Sequence, residues 1–195
     1  YAEQNMSLRN ASPSMDHWFG TDRMGRDIFV RILFGARISL AVGCLAAVIN
    51  LIVGTIYGGI AGYVGGKVDM VMMRIVDIIY SVPAMLYIVL IMLIFGASVI
   101  SIMLGISITC WIDMARIVRQ QVKSLKEQEF TMAAFVLGAS PSRILIKHLL
   151  INTMGQIIVT VTLMVPQAIF TEAWLSFLGV GISAPMASWG TLAQD

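Results

Sequence analysis

The sequence predicts an all-α, polytopic transmembrane helix bundle, and three observations carry that reading. Hydrophobic residues make up 58% of the 195 and charged residues only 12%, where an ordinary soluble domain has roughly 25% charged residues. Mean hydropathy is +0.85. Charge-free, strongly apolar runs stand at 38–66, 78–112 and 149–171, each long enough for the roughly 20 residues that cross a hydrocarbon core.

The elements follow in order. Residues 1–37 read as an external segment with an interfacial helix, and residues 38–61 as the first span. Gly54, Gly58 and Gly62 recur every four residues along it, extended upstream by Gly43 and Ala47. In lipid such a small-residue face lets helix backbones approach closely, so it is either packing within the chain or a seam between subunits. The run 78–112 is too long for one helix. Gly96-Ala97-Ser98 marks a turn, which gives a second span at 78–95 and a third at 99–118. The fourth covers 149–171, and 172–195 forms another external segment. Pro83 and Pro166 lie inside apolar runs, where each removes a backbone hydrogen bond and bends its helix locally.

Orientation follows from Lys and Arg in the short connections. Arg119, Lys123, Lys126, Arg143 and Lys147 place the connection 119–148 in the cytoplasm. Alternation then puts the turn at Gly96 and the segment 172–195, which holds no Lys or Arg, outside. Arg9, Arg23, Arg26, Arg31 and Arg37 land outside against the rule, and Asp16, Asp22 and Asp27 do not cancel them, since acidic residues count little in it. The chain opens at Tyr1 without a signal-peptide pattern, and further spans are expected at both ends.

The cytoplasmic connection 119–148 contains a short apolar helix. Phe130, Ala133, Ala134 and Leu137 fall at i, i+3, i+4 and i+7 on one face, with Thr131 the only polar residue between 130 and 137. It is too short to span a bilayer, and a helix apolar all round must be buried against something, so it is expected to meet a partner. Gly138 follows where a left-handed cap is expected. Ser140 can cap the next helix and Pro141 suits its first position. The result is helix, tight turn, helix, with the second arm running into the fourth span as a lever.

Charges gather at two helix ends. Arg74 and Asp77 are three apart before the second span, and Asp113, Arg116 and Arg119 repeat the arrangement near the cytoplasmic end of the third. Such groups are membrane-surface anchors or, on the sharper reading, Arg74, Asp77, Asp113 and Arg116 form an inner gate. Catalytic signatures are absent: no phosphate-binding loop, no H-E-x-x-H and no G-x-S-x-G occurs. His17 lies near Asp16 and Asp22 without ligand spacing and reads as part of a disordered loop. Cys44 and Cys110 sit in separate apolar runs, so neither a disulfide nor a metal site is expected.

Read together, these segments resemble the inner-membrane permease subunit of ABC importers, in the dipeptide, oligopeptide and nickel branch. Residues 129–140 (EFTMAAFVLGAS) look like the family's EAA signature, with Gly138 after the paired alanines. Residues 17–27 (HWFGTDRMGRD) followed by 35–40 (GARISL) match that branch's external segment, and 172–179 (EAWLSFLG) with 188–190 (SWG) its second one. Met132 departs from the signature's usual acidic residue, although Glu129 lies one turn earlier, and Ile151 stands where a proline commonly precedes Asn152.

The resemblance implies a permease of six spans in a bacterial inner membrane, with 1–37 and 172–195 periplasmic or extracellular. It implies a second permease, as a rule non-identical, two ATPase subunits beneath and an external substrate-binding protein. ATP and Mg are expected on the ATPases and no cofactor on this chain; lipid is a partner and nucleic acid is not. Glu129, Phe130, Met132, Ala133, Ala134, Leu137, Gly138 and Ser140 would couple to the ATPase. Di- or oligopeptides are the expected substrates. A nickel or metal-chelate importer is the alternative, and a channel or scaffold with a regulatory docking loop the rival from another class.

Overall fold

The computed structural model describes residues 4–178, 181 and 187–194. Those parts of the external segments that lie at 1–3, 179–180, 182–186 and 195 fall outside the described residues. Among the described residues the chain is helical, with one isolated bridge between Thr21 and Asp27 and no strand. The helices are α1 (Ile28–Val64), α2 (Gly66–Tyr80), α3 (Ala84–Phe95), α4 (Val99–Thr109), α5 (Ile112–Lys126), α6 (Glu129–Val136), α7 (Pro141–Phe177) and α8 (Trp189–Gln194). Among the described residues three stretches are long and apolar enough to cross a membrane: Ile28–Val64, Val99–Lys126 and Pro141–Phe177. The sharply bent pair α2 and α3 makes a fourth if the two helices are taken as one broken span.

The helices are longer than the charge-free runs suggest. α1 begins at Ile28, so residues 28–37 continue the first span instead of forming a separate interfacial helix. α7 continues to Phe177. The expected spans at 38–61, 99–118 and 149–171 are the apolar middles of helices whose ends carry charge. The bend between α2 and α3 falls at Pro83. The ring removes the donor that would reach the carbonyl of Ile79, and the Tyr87 hydroxyl donates to that carbonyl instead, at 3.1 Å. Pro166 stays inside α7. The turn expected at 96–98 is present: Gly96 takes φ 82°, and the Ser98 hydroxyl accepts from the N–H of Ser101 at 3.1 Å.

The contacts divide the chain into two compact units, residues 1–45, 88–105 and 166–195 in one and residues 46–87 and 106–165 in the other. In the first, the N-terminal segment is organised around Asp22. Its carboxylate accepts from the N–H groups of Met24 (2.8 Å) and Arg26 (2.9 Å) and pairs with the guanidinium groups of Arg26 (2.7 Å) and Arg31. His17 Nδ1 lies 2.8 Å from Asp27. The disordered loop expected around His17 is therefore a folded one, and Asp22 neutralises two of the arginines that stood against the charge rule. Burial works against the ionised form of Asp22, but the bonds from Arg26 and Met24 outweigh it and hold the carboxyl below its ordinary value of 3.8. Asp27 behaves alike: burial opposes its charge, and the Val30 N–H and His17 overcome that.

Both segments quoted as external motifs also meet in this unit. Glu172 is fully buried and accepts from the hydroxyls of Ser176 (2.8 Å) and Ser39 (3.3 Å), while Ser39 accepts from the N–H of Trp189 (3.2 Å). Gly35 lets α1 close on the backbone of Ser188: a Cβ there would stand 3.1 Å from its carbonyl carbon.

In the second unit the glycine row of α1 lies on α5. A Cβ at Gly54 would stand 2.8 Å from the carbonyl oxygen of Trp111, at Gly58 2.3 Å from that of Ala115 and at Gly62 2.6 Å from that of Arg119. Both series rise together, so the two helices run parallel. That is the relation expected of a first and a third span separated by one return crossing. Of the two readings of the row, packing within the chain is the one realised at these three glycines. On an adjoining face, a Cβ at Gly59 would stand 3.4 Å from the side chain of Leu150 and 3.7 Å from that of Leu145. Tyr57 ties α1 to α2 by donating to the carbonyl of Met72 at 2.9 Å, and its ring lies 4.9 Å from that of Trp111.

Candidate coupling site

α6 starts after Gln128, which is extended, and its sequence offers no polar side against which to orient. Thr131 decides its rotation. The hydroxyl donates to the carbonyl of Leu125 at 2.8 Å, which turns Thr131 and Ala134 inward. Ala134 then joins a core with Met114, Val118 and Val122 of α5 and Ile144, Leu149 and Ile157 of α7. The face expected from spacing is thus split: Ala134 is buried in its own chain, while Phe130, Ala133 and Leu137 stay exposed. In a two-turn helix that is apolar all round, periodicity cannot select a side, and one hydroxyl does.

The outward side is a greasy patch. Met132 is 65% exposed, Phe135 72%, Val136 83% and Leu137 86%. Large apolar side chains at such exposure lose the free energy that burial would supply, about 1.5–3 kcal/mol each, and contiguous exposed patches mark interaction sites. Glu129 is exposed at the start of the helix, where a carboxylate suits the positive end of the dipole.

The turn after α6 is a Schellman motif. Gly138 adopts φ 81°, its N–H reaches the carbonyl of Phe135 at 3.0 Å, and the N–H of Ala139 reaches that of Ala134 at 3.1 Å. Ser140 is extended in the N-cap position but its side chain makes no capping bond, contrary to the expectation. The carbonyl of Ser140 accepts from Ile144 at 2.9 Å, and Pro141 occupies the first turn, where its missing donor costs nothing. From Pro141 the helix continues without interruption to Phe177, with a π-turn at Ile144–Leu150.

Charged groups join α2 and α5 beside this core. Asp69, almost fully buried, receives the Arg119 guanidinium through two bonds, one of 2.6 Å, and lies 3.5 Å from Lys123. Asp77 pairs with Arg116 at 3.0 Å, and Arg116 also lies over the ring of Tyr80, 4.3 Å from its centroid. Of the four suggested gate residues, only Asp77 and Arg116 are brought together. Arg74 and Asp113 are exposed, with no partner among the described residues. The pairs form across helices and not along them. Sequence spacing missed Asp69 and Arg119 as a pair, although Asp69 and Asp77 stand about two turns apart, as do Arg116 and Lys123, which places each set on one helix face. Lys126 donates to the carbonyl of Tyr63 at 2.6 Å, closing the end of α1.

The family model for "binding-protein-dependent transport system inner membrane component" matches residues 54–194. The chain is 53% identical over 195 residues to the oligopeptide transport system permease protein OppC of Bacillus subtilis (strain 168), an alignment covering 100% of this chain and 64% of that protein. It is 52% identical over 192 residues to the dipeptide transport system permease protein DppC of the same organism, covering 98% and 60%. A third relative, OppC of Haemophilus influenzae (strain ATCC 51907 / DSM 11121 / KW20 / Rd), is 45% identical over 197 residues, covering 100% and 63%. The chain spans somewhat less than two thirds of the length of these relatives.

Proposed function

The chain belongs to the family of binding-protein-dependent transport system inner membrane components, and from that premise we propose that it is a permease subunit of an ATP-driven importer of di- or oligopeptides. It forms part of the translocation pathway together with a second permease, receives substrate from an external binding protein, and is driven by two ATPase subunits that carry ATP and Mg. The peptide assignment draws support from relatives named for oligopeptide and dipeptide transport.

One observation carries the coupling role: a short helix that exposes Phe135, Val136 and Leu137 on one side while Thr131 and Ala134 bolt the other side to the core of α5 and α7. Packed interiors transmit displacement because they resist compression. A push on the exposed side of α6 therefore reaches the base of α7, and through the rigid Gly138 turn it does so without bending the connection. Alternating access then amounts to switching between discrete packings of the bundle. Within this reading Asp77 and Arg116 serve as a breakable contact near the cytoplasmic side, and Asp69 with Arg119 as a lasting one.

A photo-crosslinking residue at Phe135 or Val136 in the assembled transporter is expected to capture an ATPase subunit. The same group at Ala134 should capture only this chain. Capture of lipid or self alone at Phe135 and Val136 would refute the coupling role.

A further inference from the structure

Three side-chain atoms among the described residues are buried without a hydrogen-bond partner, and all three belong to one stretch of α1: Nδ2 and Oδ1 of Asn50 and Oγ1 of Thr55. They bracket a π-turn, Asn50–Gly54, a wide turn found frequently at functional positions. Asn50 is fully buried. This is not a general looseness of the helices, because Thr153, Thr160, Thr162 and Thr171 each donate to the carbonyl four residues back. A buried amide with neither donor nor acceptor satisfied is costly away from water, most of all at membrane depth.

The turn ends beside a break between two helices. The parallel register of α1 on α5 sets Gly54 against Trp111 and Met114, Gly58 against Ala115 and Gly62 against Arg119 and Val122. Gly54, the last residue of the π-turn, thus lies against Trp111, in the break between α4 and α5. There α4 stops at Thr109 and α5 starts at Ile112; the carbonyl of Ile106 takes the Cys110 N–H at 3.0 Å and that of Ser107 the Cys110 thiol, and the carbonyls that follow, of Ile108, Thr109 and Cys110, belong to a helix end, where intrahelical donors run out. Unsatisfied donors and acceptors of α1 thus lie beside a broken backbone that offers acceptors.

We propose that a water molecule is bound between the π-turn of α1 and the α4–α5 break, held by Asn50, Thr55 and the carbonyls of the break. The donor Nδ2 selects water over a cation. Oδ1, Oγ1 and backbone carbonyls would suit a metal ion, but a cation offers no acceptor, so Nδ2 would stay buried and unsatisfied. Water donates and accepts, and buried waters bind where two to four polar partners converge. Asn50 is sealed from the surface, which excludes the transported substrate as occupant. The bound water satisfies two helix interruptions at once. It acts as a joint at which α1 can change pitch against α4 and α5 without stranding backbone groups in lipid.

X-ray hydroxyl-radical labelling of the transporter in lipid nanodiscs, in oxygen-18 water, tests this. Cys110 lies in the break and is buried, so only a neighbouring bound water can label its sulfur efficiently. The expected result is oxygen-18 on Cys110, unchanged when choline chloride replaces sodium chloride and lost in the Asn50→Leu, Thr55→Val double variant. An unlabelled Cys110 in the unsubstituted protein overturns the proposal, as does a label that needs sodium or one that persists in the double variant. If the double variant does not assemble, labelling of the unsubstituted protein with and without sodium decides the matter.

Discussion

Replacing Gly58 by valine tests the parallel packing of α1 on α5 directly. A Cβ at this position would stand 2.3 Å from the carbonyl oxygen of Ala115 and 2.9 Å from its Cα. These are backbone atoms inside a helix and cannot swing away. The two helices must separate by roughly 1 Å, which forfeits about a quarter to a half of each dispersion contact along the row. Inserting atoms into a packed interior costs about 1–3 kcal/mol, and the branched side chain sits at the upper end; replacing glycine in a helix returns a few tenths. The net expectation is a loss of about 2–3 kcal/mol. Gly155→Ala is the matched control, because nothing lies within 4 Å of its Cβ position, and it should gain up to about 1 kcal/mol from propensity alone. Steric trapping in bicelles measures both. Equal stability of Gly58→Val and the unsubstituted protein would refute the close approach of α1 and α5.

The ion pairs should separate by burial. Asp69→Asn leaves Arg119 without its partner and is expected to cost about 2–3 kcal/mol, since breaking a buried pair strands a charge, whereas Asp77→Asn, at an exposed pair, costs at most about 1 kcal/mol; thermal unfolding of the two variants in detergent distinguishes them. Gly138→Val forces a branched residue into φ 81°, a strain of about 1–3 kcal/mol, and should leave membrane assembly intact while abolishing transport in an uptake assay. The fold of residues 4–27 should persist on acidification past the ordinary carboxyl value of 3.8, because Asp22 and Asp27 are held lower in the folded state. Their contribution is complete above that value and is lost only as the pH falls through the depressed ones. Fluorescence of Trp18, whose ring packs 5.1 Å from Phe29, would report the transition, and a midpoint at or above 3.8 would contradict the Asp22 cluster.

What the sequence determined was local or compositional. Membrane class follows from the paucity of charge, because each unpaired charge is expensive in hydrocarbon. The turn at Gly96 and the cap at Gly138 were legible because a positive φ is a demand of the backbone that glycine meets without a neighbour's help. The glycine row announced a close helix contact, since a missing Cβ has few other uses on a span, but it could not name the partner.

Only the tertiary structure chose among equivalent local options. α6 is apolar on every side, and the bond from Thr131 to Leu125 settled which residues face inward. Asp77 could have paired along its own helix with Arg74, and it was the register of α2 on α5 that gave it Arg116. Asp22 gathered Arg26 and Arg31 through a fold of the N-terminal segment that no periodicity encodes. Glu172 and Ser39, more than a hundred residues apart, met only because two helices pack. Spacing along a chain fixes which side chains share a face, whereas the occupant of the opposite face depends on burial and hydrogen bonding summed over contacts distant in sequence.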